Sequence, residues 1–227
     1  MYLIGLVEAS IEPLPPKLQS TKKARVLSKR MGVEPKYIIL DKSLFYKEMK
    51  ANRIDGKRGR PDIVHMFLCS TQYSPLNKAG LLRVFIHTVN NEIIEVEPET
   101  RTPKNYYQFI SLMQHLFRDG RVPPRGKPLI KLYKNTSLFK YLKKLGVSKT
   151  ILLWEKGERV KPDFFLDKTY PTHAILVGGF PHGDFNSRII KECNYRVSIY
   201  SGQPLDAWIV VDRIISFIEY NLKGLWG

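Results

Sequence analysis

Two stretches in the last quarter of the chain hold residues whose types and spacing could do chemistry. Residues 173–185 read HAILVGGFPHGDF and residues 197–208 read VSIYSGQPLDAW. Each runs from a short apolar strand into a loop of glycines and small polar residues, and the second loop opens a long apolar helix. Neighbouring strand ends with such loops enclose a cleft walled by backbone amides and carbonyls, the usual small-molecule site at the edge of an α/β sheet. Further upstream, Arg60 and Asp62 stand two apart at a loop-to-helix junction. An Asp beside an Arg holds the guanidinium fork in one orientation, ready for a base edge or a phosphate. The plainer reading of the same pair is a carboxylate in a first helical turn next to a solvated Arg, and spacing alone does not separate the two.

Other chemistries lack their residues. There is no P-loop pattern and no G-x-G-x-x-G after the first strand. The five histidines, at 65, 87, 115, 173 and 182, have neither H-x-x-x-H spacing nor Cys partners, so no metal site is expected. No Ser or Cys sits in a nucleophile-elbow context. What remains is a reaction driven by positioning and by a bound cofactor.

The elements that must position these groups follow from periodicity and breakers. Residues 2–8 predict a buried first strand, and 11–20, with three prolines, a loop. Residues 21–31 predict a basic helix and 37–40 a strand, with Asp41 capping the next helix. Residues 51–60 form a basic loop before Pro61, which suits a first helical turn. Residues 81–96 predict a hairpin turning at Asn90-Asn91. The 3–4 spacing of Tyr106, Phe109, Ile110, Met113 and Phe117 predicts a helix over 105–118. A loop at 119–128 leads to a strand at 129–133, a helix at 137–145 ended by Gly146 and a strand at 150–154. Residues 155–171 read as irregular. Strand, loop, short helix, strand, loop and terminal helix follow. This alternation predicts an α/β fold with a mainly parallel sheet flanked by helices.

Charge points to the partner. With 37 Lys and Arg against 21 Asp and Glu, the net charge is +16, and a polyanion, RNA before DNA, is the expected ligand. The two cysteines follow no metal-ligand spacing and fit a reduced, cytoplasmic setting. The amino terminus, MYLIGLVEAS, turns polar too soon for a signal peptide or anchor, so no membrane role is expected. The terminal helix is apolar over more than one stripe through Leu205, Trp208, Ile209, Val211, Ile215, Ile218 and Leu222, extended by Val210, Ile214 and Phe217. Burial against a sheet accounts for part of that face, and a homodimer interface for the excess.

Together these stretches resemble a known family. Residues 176–183 resemble the V-G-A-F/M-A-x-G loop of SPOUT-class RNA methyltransferases, and 197–207 their S-I-S-x-x-P-L-S-A segment. Residues 59–65 (GRPDIVH), 74–82 (SPLNKAGLL), 85–88 (FIHT), 94–96 (IEV) and 100–104 (TRTPK) resemble the nucleolar essential protein family of pseudouridine-N1-specific rRNA methyltransferases, in its archaeal form. The match is colinear over nearly the whole chain. The resemblance implies a single domain over 1–227, with basic RNA-binding elements in about 10–125 and a deep trefoil knot in about 170–227, an exception to unknotted connections.

It also implies that S-adenosylmethionine, leaving as S-adenosylhomocysteine, sits bent between the two loops. Its contacts would be Leu176, Gly178, Gly179 and Gly183 from the first, and Ile199, Tyr200, Ser201, Gly202, Gln203, Pro204 and Leu205 from the second, with Leu205 packing on the adenine. Gly179 and Pro181 stand where the family usually has Ala, and Asp206 where Ser is common. Arg60 and Asp62 would lie by the target nucleotide, and Arg101, Lys104 and Gln108 on RNA, Gln108 replacing a frequent third Arg. Lys57, Arg58 and Arg53 would add electrostatic footprint.

The implied function is N1-methylation of a pseudouridine in small-subunit rRNA during ribosome biogenesis, by a homodimer. A carboxylate paired with a guanidinium is a poor base. Arg60 is therefore expected to stabilise the developing anionic base, with Asp62 as its orienter. The alternative is an RNA-binding assembly factor with little or no methyl transfer, against which the intact glycines and the Arg60/Asp62 pair argue.

Overall fold

The computed structural model describes residues 1–54, 56–200, 202–222 and 224–225. The strands are β1 (Tyr2–Ala9), β2 (Leu82–Thr88), β3 (Ile93–Val96), β4 (Arg121–Val122), β5 (Ile130–Tyr133), β6 (Lys149–Arg159), β7 (His173–Gly178) and β8 (Tyr195–Ser198). They form one sheet in the order β4-β5-β3-β2-β1-β7-β6-β8. The five strands from β2 to β8 run parallel, while β3, β5 and β4 extend the sheet antiparallel. The parallel half is the half that carries the cleft.

β1 is central and buried on both faces. Tyr2, Ile4 and Leu6 join one core cluster, and Leu3 and Val7 the other, the period-2 division expected of a strand covered on both sides. Gly5 is required here because the Phe85 ring lies over it: a Cβ would come within 2.2 Å of Phe85 Cζ. The first face is covered by α4 (Pro61–Gln72), α6 (Tyr106–Asp119) and α9 (Ala207–Asn221), and the second by α7 (Leu138–Lys144) and α8 (Ser187–Glu192). Between β1 and α4, the short α1 (Pro16–Gln19), α2 (Lys22–Met31) and α3 (Lys42–Ala51) enclose a small cluster of Leu14, Leu18, Ile38, Leu40, Phe45 and Met49. The one-turn α5 (Pro75–Lys78) follows α4.

Many local expectations hold. Asp41 Oδ1 accepts from the Ser43 amide at 2.8 Å and caps α3. Asn91 takes φ +55° in the β2–β3 hairpin. Phe109, Ile110, Met113 and Phe117 all face the core from α6.

Four expectations change. Residues 11–20, expected as a loop, contain the one-turn α1, because Pro16 suits the first position of a helical turn. Residues 37–40 are not a strand. A 3-10 turn spans Pro35–Tyr37, and Ile39 makes one isolated bridge to Pro13. Pro13 has no N–H to continue a ladder, so the buried Ile38–Leu40 run serves as core without joining a sheet. The expected loop at 119–128 contains the two-residue β4. Residues 155–159, read as irregular, continue β6. That strand pairs with β8 through Ile151–Leu153 and again through Glu158–Arg159, with a bulge between. Residues 154–157 thus arch beside the end of β8.

Candidate active site

The cleft of the parallel half opens at the carboxyl ends of β6, β7 and β8, where ligands enter an open α/β sheet. It has a volume of about 400 Å³, within the usual range for small-molecule sites. Gly178 and residues 180–185 form one wall, and Val197–Tyr200 with Gln203–Ala207 another. Leu153, Trp154 and Glu155 of the β6 arch close the third side, and Arg60 and Ile63 the mouth toward α4.

Of the residues expected on a cofactor, Gly178, Gly183, Ile199, Tyr200, Gln203, Pro204 and Leu205 line the cleft. Three do not. The Leu176 side chain is fully buried in the core beneath it. Gly179 turns onto β1, where a Cβ would stand 2.6 Å from Ala9 Cα, so this glycine serves the approach of two backbones. Gly202, at φ +74°, shapes the turn without facing the cavity. Ser201 lies outside the described residues. The sequence reading missed Trp154, Glu155 and Asp184 as wall residues. Asp184 was in view, one residue past the last loop glycine. Trp154 and Glu155 gave no local signal, because only the bulge of β6 carries them over.

Charge in the cleft is organised. Asp184 Oδ1 accepts from Trp154 Nε1 at 2.8 Å and from the Phe185 amide at 2.8 Å, and its Oδ2 from Lys156 Nζ at 2.7 Å. Burial opposes its ionisation, but these donors prevail and hold its carboxyl below the ordinary value. Asp206 is the N-cap of α9. Its side chain caps no amide and lies on the cavity wall instead.

At the mouth, Arg60 is the N-cap of α4 and Asp62 stands in its first turn. Arg60 Nε to Asp62 Oδ1 is 2.8 Å and Nη2 to Oδ2 is 2.7 Å, a two-pronged fork. Both side chains stay partly open to solvent, at 36% and 40%. The hydrogen bond to Asp62 raises the Arg60 guanidinium above its ordinary value, burial opposes, and Asp62, Asp206 and Asp41 add electrostatically. Arg60 is therefore a fixed cation on the cleft wall, with its orienting carboxylate outside it.

The start of α6 is drawn to the same place. Tyr106 Oη donates to Asp41 Oδ2 at 2.6 Å. Burial, then the Asp41 carboxylate, push the phenol well above its ordinary range, and Asp62 and Arg60 also act on it. The segment before α6 is stapled to α4 and α5. Asn77 Nδ2 donates to the Pro98 carbonyl at 2.9 Å and Tyr73 Oη to that of Thr102 at 2.5 Å, while His65 Nε2 lies 2.7 Å from that of Pro103. Thr100 and Thr102 point inward, so Arg101 and Lys104 face solvent, as does Gln108 on the first turn of α6. Lys104 Nζ stands over the Tyr73 ring at 5.1 Å.

The basic loop at 51–60 behaves differently from expectation. Arg58 pairs with the buried Glu12 through both carboxylate oxygens. Lys57 donates to the Asp184 carbonyl and lies 3.7 Å from Glu8. These two cations hold loops together, and surface charge is not their main role. Between residues 118 and 134, Arg118 likewise pairs with Asp119 at 2.9 Å, and Lys131 and Lys127 lie 3.9 and 3.5 Å from Glu97 and Glu99. Among the described residues, no group of three His, Cys, Asp or Glu side chains could hold a metal, and no helix is long and apolar enough to cross a membrane.

A family model described as EMG1/NEP1 methyltransferase matches residues 4–219. The ribosomal RNA small subunit methyltransferase Nep1 of Staphylothermus marinus is 40% identical over 222 residues, 96% of either chain. That of Thermococcus sibiricus is 38% identical over 228 residues, 100% of either chain. A crystal structure of Archaeoglobus fulgidus Nep1 bound to S-adenosylhomocysteine superposes with a TM-score of 0.84 at 33% identity, covering 96% of this chain and 97% of that one.

Proposed function

The chain belongs to the EMG1/NEP1 methyltransferase family, and we propose that it methylates N1 of a pseudouridine in small-subunit ribosomal RNA with S-adenosylmethionine as donor. The single observation that carries this reading is the position of Arg60: a cation oriented by Asp62 on the wall of the cleft that the two strand-end loops enclose. Substrate-side and donor-side residues thus meet in one cavity.

The wall suits that donor. Ile199, Leu205 and Val210 offer apolar contact for a purine, and the Asp206 and Glu155 carboxylates favour a ligand with positive charge. When bound, S-adenosylmethionine supplies an electrophilic methyl group on a sulfonium and leaves as S-adenosylhomocysteine. The glycine wall would be contacted at Gly178 and Gly183, and the second loop at Ile199, Tyr200, Gln203, Pro204 and Leu205. Pseudouridine is a C-linked uracil, so its N1 carries a proton. With that proton passed to solvent and the methyl to N1, Arg60 stabilises the anionic ring formed in between, Asp62 keeps the guanidinium aimed, and the cleft aligns the reacting atoms. The target base must leave its loop to enter.

A labelled-methyl assay on a loop RNA with pseudouridine or uridine at the target position tests this. Transfer is expected to the pseudouridine RNA alone. Equal transfer to both would refute the N1 assignment, since uridine N1 bears the sugar and has no proton.

Arg101, Lys104 and Gln108 face outward on the stapled strip beside α4 and are read as RNA contacts. Arg101→Ala is expected to lower the slope of log K against log salt by about 0.7–0.9 for a single phosphate contact. An unchanged slope in a salt titration would remove Arg101 from the footprint.

The finer architecture is read the same way. One continuous sheet supports a single domain over residues 1–227. A knot in about 170–227 is supported by the path of the chain: β8 lies outside β6 at the sheet edge, alongside the 154–157 arch, yet α9 returns to the face covered by α4. A homodimer is supported by exposed apolar side chains on the α4 and α9 helices, Met66 at 41% and Ile209 at 40%. An rRNA substrate supports a cytoplasmic location.

A further inference from the structure

The basic segment before Arg60 is fastened to the cofactor-side loop at three points. The Ser10 amide donates to the Gly179 carbonyl at 2.9 Å, its carbonyl accepts from the Arg60 amide at 3.2 Å, and its hydroxyl donates to the Lys57 carbonyl. Gly56 abuts His182, and a Cβ there would lie 2.8 Å from His182 Nε2. Lys57 makes the third and most extensive tie. Its ammonium donates to the Asp184 carbonyl, lies 4.2 Å from the centre of the Phe180 ring and 3.7 Å from Glu8 Oε2. Its stem passes under Gly183, where a Cβ would meet Lys57 Cε at 3.0 Å. Glu8 in turn accepts from the Asn186 amide at 3.0 Å. Phe180, Gly183 and Asp184 all line the cleft, and Lys57 stands three residues before Arg60.

We propose that Lys57 is a positioning residue: it clamps the segment carrying Arg60 to the 180–184 loop, so that ordering either one favours the other and the two ligands bind cooperatively. The proposal rests on the methyltransferase reading above. The physical ground is shared ordering. A ligand that immobilises the 180–184 loop also removes freedom from residues 56–60, and the second ligand then meets a segment already ordered. Linkage makes the effect reciprocal for the two binding equilibria. The side chain is only 23% exposed and already engaged by an anion, a carbonyl and a ring, so it adds little to the field felt by a distant polyanion.

Lys57→Met keeps an unbranched stem against Phe180 and removes the charge. RNA affinity is measured for wild type, K57M and K57R, each with and without saturating S-adenosylhomocysteine. In wild type the product should tighten RNA binding by about 5–10-fold. In K57M that ratio should fall to near one, with RNA affinity in its absence within about twofold of wild type, and K57R should restore most of the ratio. Full retention of the ratio in K57M overturns the proposal, as does a wild type that binds the product without tightening RNA. Hydrogen exchange on wild type needs no variant. Saturating product should slow exchange at residues 56–58 as well as at 180–185, and unchanged exchange at 56–58 also overturns it. A wild type that binds no S-adenosylhomocysteine at all would sink the methyltransferase reading instead.

Discussion

Replacing Arg60 with alanine should lower kcat by about 10²–10³-fold, the usual cost of removing one preorganised donor from a site of developing negative charge. kcat and kcat/KM should fall together, because the guanidinium matters most once the ring carries negative charge. Calorimetric affinity for S-adenosylmethionine should be largely kept, since the glycine wall and the second loop hold the donor and Arg60 only borders the cavity. Asp62→Asn should cost less, on the order of tenfold, because the amide keeps one hydrogen bond to the guanidinium but loses the charge-assisted fork. If Arg60→Ala abolished donor binding along with turnover, the donor and substrate sides of the cleft would have been assigned the wrong way round.

Gly157→Ala should be a damaging substitution away from the reacting groups. A Cβ at 157 would stand 2.5 Å from both the carbonyl carbon and oxygen of Arg196, which belong to the β8 backbone. That contact cannot be relieved by turning a side chain; the β6 bulge must pull away from β8. Two effects oppose. Alanine restricts the unfolded chain and so contributes about 0.4–1 kcal/mol of stability. Overpacking against backbone costs about 1–3 kcal/mol, so the clash wins. At roughly 2–4 °C per kcal/mol for a chain of this size, Tm should drop by several degrees. Donor affinity should fall with it, because the same arch carries Trp154 and Glu155 into the cleft wall. Unchanged thermal melting together with unchanged calorimetric affinity would mean that the arch is not rigidly held by β8.

The contrast between residues 105–118 and 154–157 shows what was legible before the structure. The helix advertised itself: Asn105 accepts from the Tyr107 and Gln108 amides, and its apolar residues recur at helical spacing. Every interaction that defines it lies within one turn. The arch had no such signature. The pairing of β6 is interrupted after Leu153 and resumes at Glu158 only because β8, some forty positions further on, offers Val197 a second time and then Ser198. The same limit applies to the glycines. Gly178, Gly179 and Gly183 looked alike in the loop, but only the packing of β1 assigns Gly179 to Ala9 and leaves the other two facing the cavity.

Lys57 and Arg58 make the same point for charge. In a stretch reading ANRIDGKRGR they are two cations among several, and net charge treats them all as surface. Their partners Glu8, Glu12 and Asp184 come from β1, from the segment just after it and from the loop after β7, and their meeting depends on the order of strands in the sheet. Composition, periodicity and motif order were enough for the class of fold, the polyanionic partner, the two loops and the Arg60–Asp62 pair, because those signals are local or additive along the chain. Which residues of the loops face the cavity, which cations are internal ties and how the third wall of the cleft is built were decided by tertiary structure alone, because each depends on backbones brought together across β1, β6, β7 and β8.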